Sequence, residues 1–132
     1  MEILSISMDK EELKRLEEIQ KKLGFRSRSK MLRSALESLS KEYGSIGSLK
    51  GNVESVFILA YPDSKKDKVS DVLHKFEDSI KSELHHHHGG TCIDILNLET
   101  SAETTKEFFG IVKSSKYIAS ATYSIVSEKQ RQ

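Results

Sequence analysis

The chain has 132 residues, a formal net charge of +1 and one cysteine. This length holds one domain or two small ones, and the near-neutral charge excludes a global basic field for nucleic acid. The lone thiol excludes an intramolecular disulfide framework and favours a reducing compartment. The sequence lacks both a run of roughly 18 apolar residues and a signal-peptide pattern, so we expect a cytoplasmic protein that does not span a membrane.

The chain opens with a predicted strand at residues 3–8, where side chains of two kinds alternate. Leu4, Ile6 and Met8 form one apolar face. The other face is formed by Ile3, Ser5 and Ser7. A lone strand leaves its backbone groups unpaired, so we expect it to pair antiparallel with the same strand of a second copy.

Two helices are predicted after this strand. The first begins after Asp9, which forms a capping box with Glu12, and it ends at Gly24. A polar turn leads to the second helix, for which Ser29 can serve as the N-cap. Both helices have apolar side chains at helical spacing, and about 43 residues cannot bury these faces alone. The segment therefore predicts a dimer.

This strand–helix–helix pattern resembles the ribbon–helix–helix DNA-binding fold, in which a two-stranded ribbon reads the DNA. The resemblance implies that Ile3, Ser5 and Ser7 enter the major groove. It also implies that the start of the second helix, at Arg28 and Ser29, presents backbone N–H groups to a phosphate. The arginines support this role, because all but one precede residue 45. The expected partner is double-stranded DNA, and the alternative is a dimerisation module whose strand is only solvated.

Two domains are predicted, with a linker rich in glycine and serine between them. The first domain covers residues 1–44, the linker residues 45–51 and the second domain residues 52–127. Residues 128–132 are expected to form a disordered tail.

The second domain is predicted to contain strands and helices in the order βαββαβ. Strands are expected at 53–61, 84–88, 92–98 and 118–126. Helices are expected at about 65–81 and 101–114. This order is that of the ferredoxin-like fold, which sensing domains of the ACT type share. The predicted fold class is therefore α+β, with an N-terminal ribbon–helix–helix domain followed by a ferredoxin-like, ACT-type βαββαβ domain.

All five histidines and the only cysteine lie between residues 74 and 92. Imidazole nitrogen and thiolate sulfur are ligands for zinc, nickel and copper. Alternate residues of a strand share a face, so His85 and His87 lie on one face and His86 and His88 on the other. One of these pairs and Cys92, returning across the hairpin, place three ligands on one patch.

A fourth ligand can come from His74 of the same chain or of a neighbour. Three nitrogens and one sulfur suit Ni(II), Cu(II) or Zn(II), and a thiolate tends to reduce Cu(II), which favours nickel. The competing interpretation is a solvated histidine tract with incidental metal affinity.

Over its full length the chain resembles the nickel-responsive transcriptional regulator family, NikR. In that family a histidine on the first sensor helix precedes a Leu-His-x-His motif and a cysteine that opens the next strand. Here His74 precedes Leu84-His85-His86-His87 and then Cys92, and the interval from His74 to His85 matches the family interval. The resemblance implies that the metal ligands are His74, His85, His87 and Cys92.

The sequence departs from the family in one interval of the motif. The interval from His85 to Cys92 is one residue shorter than the family's, and a one-residue slip exchanges the faces of a strand. His86 and His88 therefore remain the alternative pair, and His85 and His87 are favoured.

The resemblance also implies an assembly and a mechanism. The protein is expected to be a homotetramer, a dimer of dimers, in which His74 of one subunit joins His85, His87 and Cys92 of another. Metal would then stabilise the arrangement that binds the operator, so the chain is expected to be a metal-responsive repressor. Whether metal activates or releases repression is left open.

Other functions compete with nickel-dependent repression. The same architecture could sense Cu, Co or Zn. A ribbon–helix–helix regulator independent of metal, with incidental histidines, is a second alternative. A metalloenzyme is disfavoured, because the sequence has neither an H-E-x-x-H motif nor deaminase-like spacing, and we expect a protein that is not an enzyme.

Overall fold

The structure, a computed structural model, describes residues 1–129. The chain divides into two compact units between Gly44 and Ser45. The first unit contains α1 (Lys10–Leu23) and most of α2 (Arg28–Gly47), whose last three residues belong to the second unit. The second unit has the elements of a βαββαβ domain.

The predicted boundaries of α1 are confirmed, together with the contacts that cause them. The Asp9 carboxylate accepts a hydrogen bond from the Glu12 backbone N–H at 2.8 Å, and the Glu12 carboxylate accepts one from the Asp9 N–H at 3.4 Å. Gly24 ends the helix with φ +73°, a left-handed conformation that favours glycine. Acidic side chains in the first turn and Lys21 and Lys22 in the last turn complement the helix dipole.

The N-cap predicted for α2, Ser29, was two residues too late. The helix begins at Arg28, and the Ser27 hydroxyl accepts the N–H of Lys30 at 3.1 Å. Ser29 therefore lies in the first turn rather than at the cap. The two serines flank one arginine, so either could cap the helix by residue type, and only the backbone geometry selects Ser27.

The expected linker at residues 45–51 is partly helical. Its first three residues belong to α2, which ends at Gly47. Ile46 and Leu49 are buried in the core of the second unit, and this burial explains why the segment is ordered despite its glycines and serines. Gly51 has φ +74°, where the chain turns into the first strand of the sheet.

The strand predicted at residues 3–8 does not form in the single chain. Residues 1–9 have no regular secondary structure, and the apolar side chains Leu4 and Ile6 are exposed. A strand requires hydrogen bonds to a neighbour, and residues 1–44 contain no other strand to provide one. This is the physical reason for the difference, because the partner strand would have to come from a second copy.

The second unit is a four-stranded antiparallel sheet with two helices. The strands are β1 (Asn52–Pro62), β2 (Ile80–His88), β3 (Thr91–Ser101) and β4 (Ser120–Lys129). The helices are α3 (Lys66–His74), which follows a short 3₁₀ turn (Asp63–Lys65), and α4 (Ala102–Ser114). The strand order β2-β3-β1-β4 is the ferredoxin-like order, so the predicted α+β architecture is confirmed.

Two predicted boundaries in this unit were wrong. The helix expected to reach about residue 81 ends at His74, and β2 begins at Ile80 instead of residue 84. Ile80 pairs with Leu98, and its N–H bonds the carbonyl of Phe76 at 3.1 Å, so a turn replaces the last predicted helical turns. Of the disordered tail expected at residues 128–132, residues 128 and 129 belong to β4, and residues 130–132 lie outside the described residues.

The core lies between the helices and one face of the sheet. Phe108 of α4 packs edge-on against Phe57 and Phe76, with ring centroids 4.8 and 5.0 Å apart. The opposite face of the sheet, hereafter the open face, is not covered by α3 or α4. Its middle row consists of paired, exposed apolar residues from three adjacent strands, Leu84, Ile95 and Ile58.

Candidate metal centre

The hairpin turn decides which histidines face the cysteine. Gly89 and Gly90 have φ of +57° and +80°, and His88 pairs with Thr91, so the hairpin has a two-residue turn of the type that needs positive φ at both positions. The pairing register then places His87 opposite Cys92. Residues directly opposite each other in an antiparallel pair share a face.

The same register places His85 opposite Asp94. His85, His87, Cys92 and Asp94 therefore share the face that the helices cover, whereas His86 and His88 lie on the open face. The alternative in which His86 and His88 accompany Cys92 does not match this register.

A buried carboxylate holds the His85 ring. Asp94 is buried, and its Oδ1 lies 2.5 Å from His85 Nδ1. The Tyr61 hydroxyl donates to the other oxygen of Asp94 at 2.6 Å. Burial and this hydrogen bond raise the pKa of Tyr61 above its ordinary value, so the phenol keeps its proton. An ionised carboxylate only accepts, so His85 carries its hydrogen on Nδ1 and has Nε2 free.

The other two candidate histidines also contact carboxylates. His87 Nε2 lies 3.1 Å from Asp63 Oδ2, and His74 Nδ1 lies 3.1 Å from Glu77 Oε2. Each imidazole thus has one nitrogen on a carboxylate and one free nitrogen. Histidines that ligate metals commonly have this arrangement, because the carboxylate fixes the tautomer and makes the free nitrogen more basic.

His74 and His85 of one chain face a common cavity of about 380 Å³. Asp94, Glu77 and Tyr61 also line it. Cys92 lies under the surface, with 1% of its area exposed. Among residues 1–129, no three His, Cys, Asp or Glu side chains are close enough to hold a metal ion. The three-ligand patch expected on one chain is therefore not assembled in the single chain, because the rings of His85 and His87 turn towards carboxylates.

Sequence reasoning missed the carboxylates of this site. Asp94 follows Cys92 by two residues in an otherwise apolar strand, so alternation places it on the buried face. A buried carboxylate needs hydrogen-bond partners, so the position of Asp94 in the sequence was the available signal that it contacts another polar side chain. Asp63 lies just after β1, and its contact with His87 depends on a loop held by the hydrogen bond from the Asp63 N–H to the Gly90 carbonyl, which the sequence alone does not reveal.

The predicted DNA-binding residues lie at the surface of the first unit. Ile3, Ser5 and Ser7 are exposed. Arg28 and Ser7 line one cleft of about 490 Å³ whose other walls are mostly apolar. Arg28 also forms an exposed ion pair with Glu17 at 2.8 Å, so its guanidinium is not committed to a buried role. Ser29 lies in the first turn of α2 and is exposed.

Comparison with known proteins identifies relatives of both units. The family model of ribbon-helix-helix proteins, copG family, matches residues 2–43. A protein of Halobacterium salinarum named "putative nickel-responsive regulator" is 29% identical over 131 residues, which cover 96% of this chain and 92% of that protein. One of Methanosarcina mazei, named "putative nickel-responsive regulator 2", is 25% identical and is matched over 97% of this chain and 94% of its own length.

A solved structure supports the fold but carries no further information on function. The uncharacterized protein from Thermotoga maritima superimposes with a TM-score of 0.53 at 14% identity. The match covers 58% of this chain and 99% of the other chain. Among the described residues, no helix combines the length and the apolar character that crossing a membrane requires.

Proposed function

We propose that this chain is a nickel-responsive transcriptional repressor. Two findings support this: residues 2–43 match the family model of ribbon–helix–helix proteins, copG family, and nearly the whole chain is similar to proteins named nickel-responsive regulators. In this proposal the ligands are His74, His85, His87 and Cys92. The observation that carries the proposal is the shared face of His85, His87 and Cys92, with each candidate imidazole oriented by a carboxylate.

The composition of the first unit supports DNA binding as a dimer. Within residues 1–44, all of which the structure describes, Met31 is the only buried apolar side chain. Leu4 and Ile6 line the apolar cleft of this unit and stay exposed. Pairing two copies of residues 3–8 would cover these side chains and satisfy the strand's backbone groups. The same pairing would turn Ile3, Ser5 and Ser7 outward, as the ribbon of a DNA reader requires.

The donor set supports nickel. Three imidazole nitrogens and one thiolate are the ligands that Ni(II), Cu(II) and Zn(II) accept, and the bound ion would join donors that belong to different chains. His85 and His87 provide two free nitrogens on the face of Cys92. His74 lies at the last residue of α3, and its side chain is 76% exposed, so it is available to a second copy.

The open face supports assembly beyond a dimer. Leu84, Ile95 and Ile58 form one cross-strand row, and their exposed fractions are 68%, 39% and 44%. Such a row of exposed apolar groups is stabilised when a second sheet covers it. Packing of sensor units through this face, together with ribbon pairing of the first units, would give a homotetramer, a dimer of dimers, in the cytoplasm.

The residues of the chain then carry regulation as follows. Asp94, held by Tyr61, keeps His85 in one tautomer and orientation. Asp63 and Glu77 do the same for His87 and His74. In this proposal a metal ion is bound by His74 of one chain and by the other three ligands of its neighbour, so it fixes the positions of the two sensor units. The bound ion thereby favours the arrangement in which two ribbons bind the operator together.

The test uses the full-length protein with Ni(II) as the probe. The wild type should bind Ni(II) tightly, show a thiolate-to-nickel charge-transfer band and bind operator-containing DNA more tightly with metal than with a chelator. Cys92→Ala should abolish the band and the metal dependence of DNA binding, and it removes only a sulfur from a buried position. Thr91→Ala, the exposed neighbour, is the matched control and should keep both properties.

Two outcomes would contradict parts of the proposal. An unchanged band in Cys92→Ala would exclude the thiolate as ligand. DNA binding that a chelator leaves unchanged would favour a regulator independent of metal. Titration of Cu(II), Co(II) and Zn(II) against DNA affinity decides between nickel and the other effectors.

A further inference from the structure

Ile3 is the apolar member of an otherwise polar face at the start of the chain. It shares that face with Ser5 and Ser7, because alternate residues of a strand point to the same side. All three side chains are exposed, and Ile3 is 93% exposed. A large apolar side chain at this position therefore has almost its whole surface available to a partner.

The fold of the first unit does not account for this side chain. Of the described residues 3–8, Leu4, Ile6 and Met8 line the apolar cleft of the unit, and Ile3 does not. Pairing of two ribbons would cover the face of Leu4, Ile6 and Met8. The same pairing would leave Ile3 on the outer surface of the ribbon, where its apolar atoms contribute nothing to the core of the dimer.

The chemistry of this face restricts what it can read in a DNA groove. Ser5 and Ser7 carry short hydroxyls, which donate to or accept from any base. Within residues 3–8 the face has no arginine, lysine, asparagine or glutamine, the side chains that form paired hydrogen bonds to guanine or adenine. Ile3 forms no hydrogen bond with its side chain, and the apolar group that a base presents in the major groove is the C5-methyl of thymine. Ile3 is therefore the residue of this face that can distinguish one base from the others.

We propose that Ile3 selects the operator by packing against the C5-methyl group of a thymine in the major groove, once in each half-site. This inference rests on the proposed DNA-binding function, and it adds the class of sequence that is bound. A symmetric dimer places its two ribbon strands on two half-sites, so the thymine recurs at symmetry-related positions. Burial of one methyl group changes affinity by about fourfold, so methyl groups in both half-sites change it by about 15-fold.

A comparison of thymine with uracil tests this contact without changing the protein. The full-length protein with Ni(II) first selects bound duplexes from a pool that has a randomised central region. The selected duplexes should share a thymine at one position of each half-site. Uracil at that position removes only the methyl group, and it should weaken binding of the wild type by about fourfold in one half-site and about 15-fold in both. Uracil at thymines outside the two half-sites is the control and should leave affinity unchanged.

Two variants assign the effect to Ile3. Ile3→Ser should bind the thymine and the uracil duplexes equally, because the partner of the methyl group is gone. Ser5→Ala, on the same face, is the matched control and should keep the ratio of affinities that the wild type shows. Both side chains are exposed, so neither substitution alters the core, and unchanged far-UV circular dichroism verifies the fold.

The outcomes separate this inference from the proposed function. The thymine contact is overturned if the selected half-sites share no thymine, if uracil binds as tightly as thymine, or if Ile3→Ser keeps the ratio of the wild type. Each of these results leaves nickel-dependent binding intact. A thymine preference that is the same with Ni(II) and with a chelator supports the contact and contradicts nickel control. Enrichment of no sequence from the pool contradicts both.

Discussion

The two units of this chain solve the problem of burying apolar surface in opposite ways. In the first, the apolar side chains of residues 3–8 and most of those on the helices are exposed, and Met31 is the one buried apolar side chain in residues 1–44. In the second, a continuous core runs from Val53 of β1 to Ala121 of β4. The second unit buries its apolar side chains within one chain, whereas in the proposed dimer a second copy would complete the core of the first unit.

The difference has a functional consequence. In the proposed dimer, the DNA-reading surface of the first unit would depend on another chain. A unit with its own core can hold donor atoms in place before any partner arrives. Variants in each unit test this contrast, and the first of them should have the strongest effect.

Ile6→Asp should abolish folding of the first unit while sparing the second. Burial of an isoleucine side chain contributes about 1.5–3 kcal/mol, and a symmetric ribbon buries two copies. Hydrogen exchange should show lost protection in α1 with protection of β1 and β3 retained. Ser5→Asp, on the opposite face of the predicted strand, is the control and should keep α1 protected. Unchanged exchange in Ile6→Asp would refute the proposed ribbon pairing.

Phe108→Ala should destabilise the second unit by about 3–5 kcal/mol, because it leaves a cavity between Phe57 and Phe76. Chemical denaturation followed by near-ultraviolet circular dichroism measures the loss. Glu107→Ala, one position earlier on α4 and exposed, should change stability by less than about 0.5 kcal/mol. Equal losses in the two variants would show that the core is not centred on this ring.

Tyr61→Phe should cost about 1–3 kcal/mol, because the buried Asp94 loses its hydroxyl donor. It should also change the pH dependence of the metal-free protein. The pKa of Tyr61 is raised in the folded state, so its contribution to stability is complete below the ordinary phenol pKa of about 10 and is lost as pH rises above that value.

Denaturation midpoints measured between pH 8 and pH 11 test this. The interval runs from about two pH units below the ordinary phenol pKa to about one unit above it. The wild type should lose more stability over this interval than Tyr61→Phe. Tyr123→Phe, a half-buried tyrosine of the same sheet, serves as the control. Parallel curves for wild type and Tyr61→Phe would contradict the predicted role of the phenol.

Ser27→Ala should cost about 1 kcal/mol through loss of the α2 cap, and Ser29→Ala much less. Thermal unfolding of the first unit, followed at its helical signal, measures both. If Ser29 lies at a DNA phosphate, Ser29→Ala should weaken DNA binding more than Ser27→Ala does. A larger stability loss in Ser29→Ala than in Ser27→Ala would show that Ser29 is the cap, as the sequence predicted.

Local rules explain most of what could be predicted in the first unit. Asp9, Glu12 and Gly24 specify α1 through contacts within a few residues, so its boundaries follow from the sequence. The cap of α2 was misplaced because Ser27 and Ser29 are equivalent by residue type. In the second unit, the helix boundary at His74 was missed because long-range pairing of Ile80 with Leu98 overrides local helix periodicity.

For the candidate site, the sequence supplied the donors but not their environment. The identity of the imidazoles and the thiol, their alternation along a strand and the turn-forming glycines were all visible in the residues 74–92. Whether Cys92 faces His87 or a neighbouring histidine depends on hairpin register, which only the pairing of two strands settles.

Composition and periodicity act locally, so the amino-acid sequence was enough to predict the α+β class, the two-part organisation and the collection of metal-binding side chains. The folded structure was needed to show that Asp94 and Asp63 orient His85 and His87, and that two histidines face the helices while two face away. These features depend on residues far apart in the chain or on different strands, so their geometry exists only once the sheet has formed, whereas Glu77 contacts His74 from three residues away.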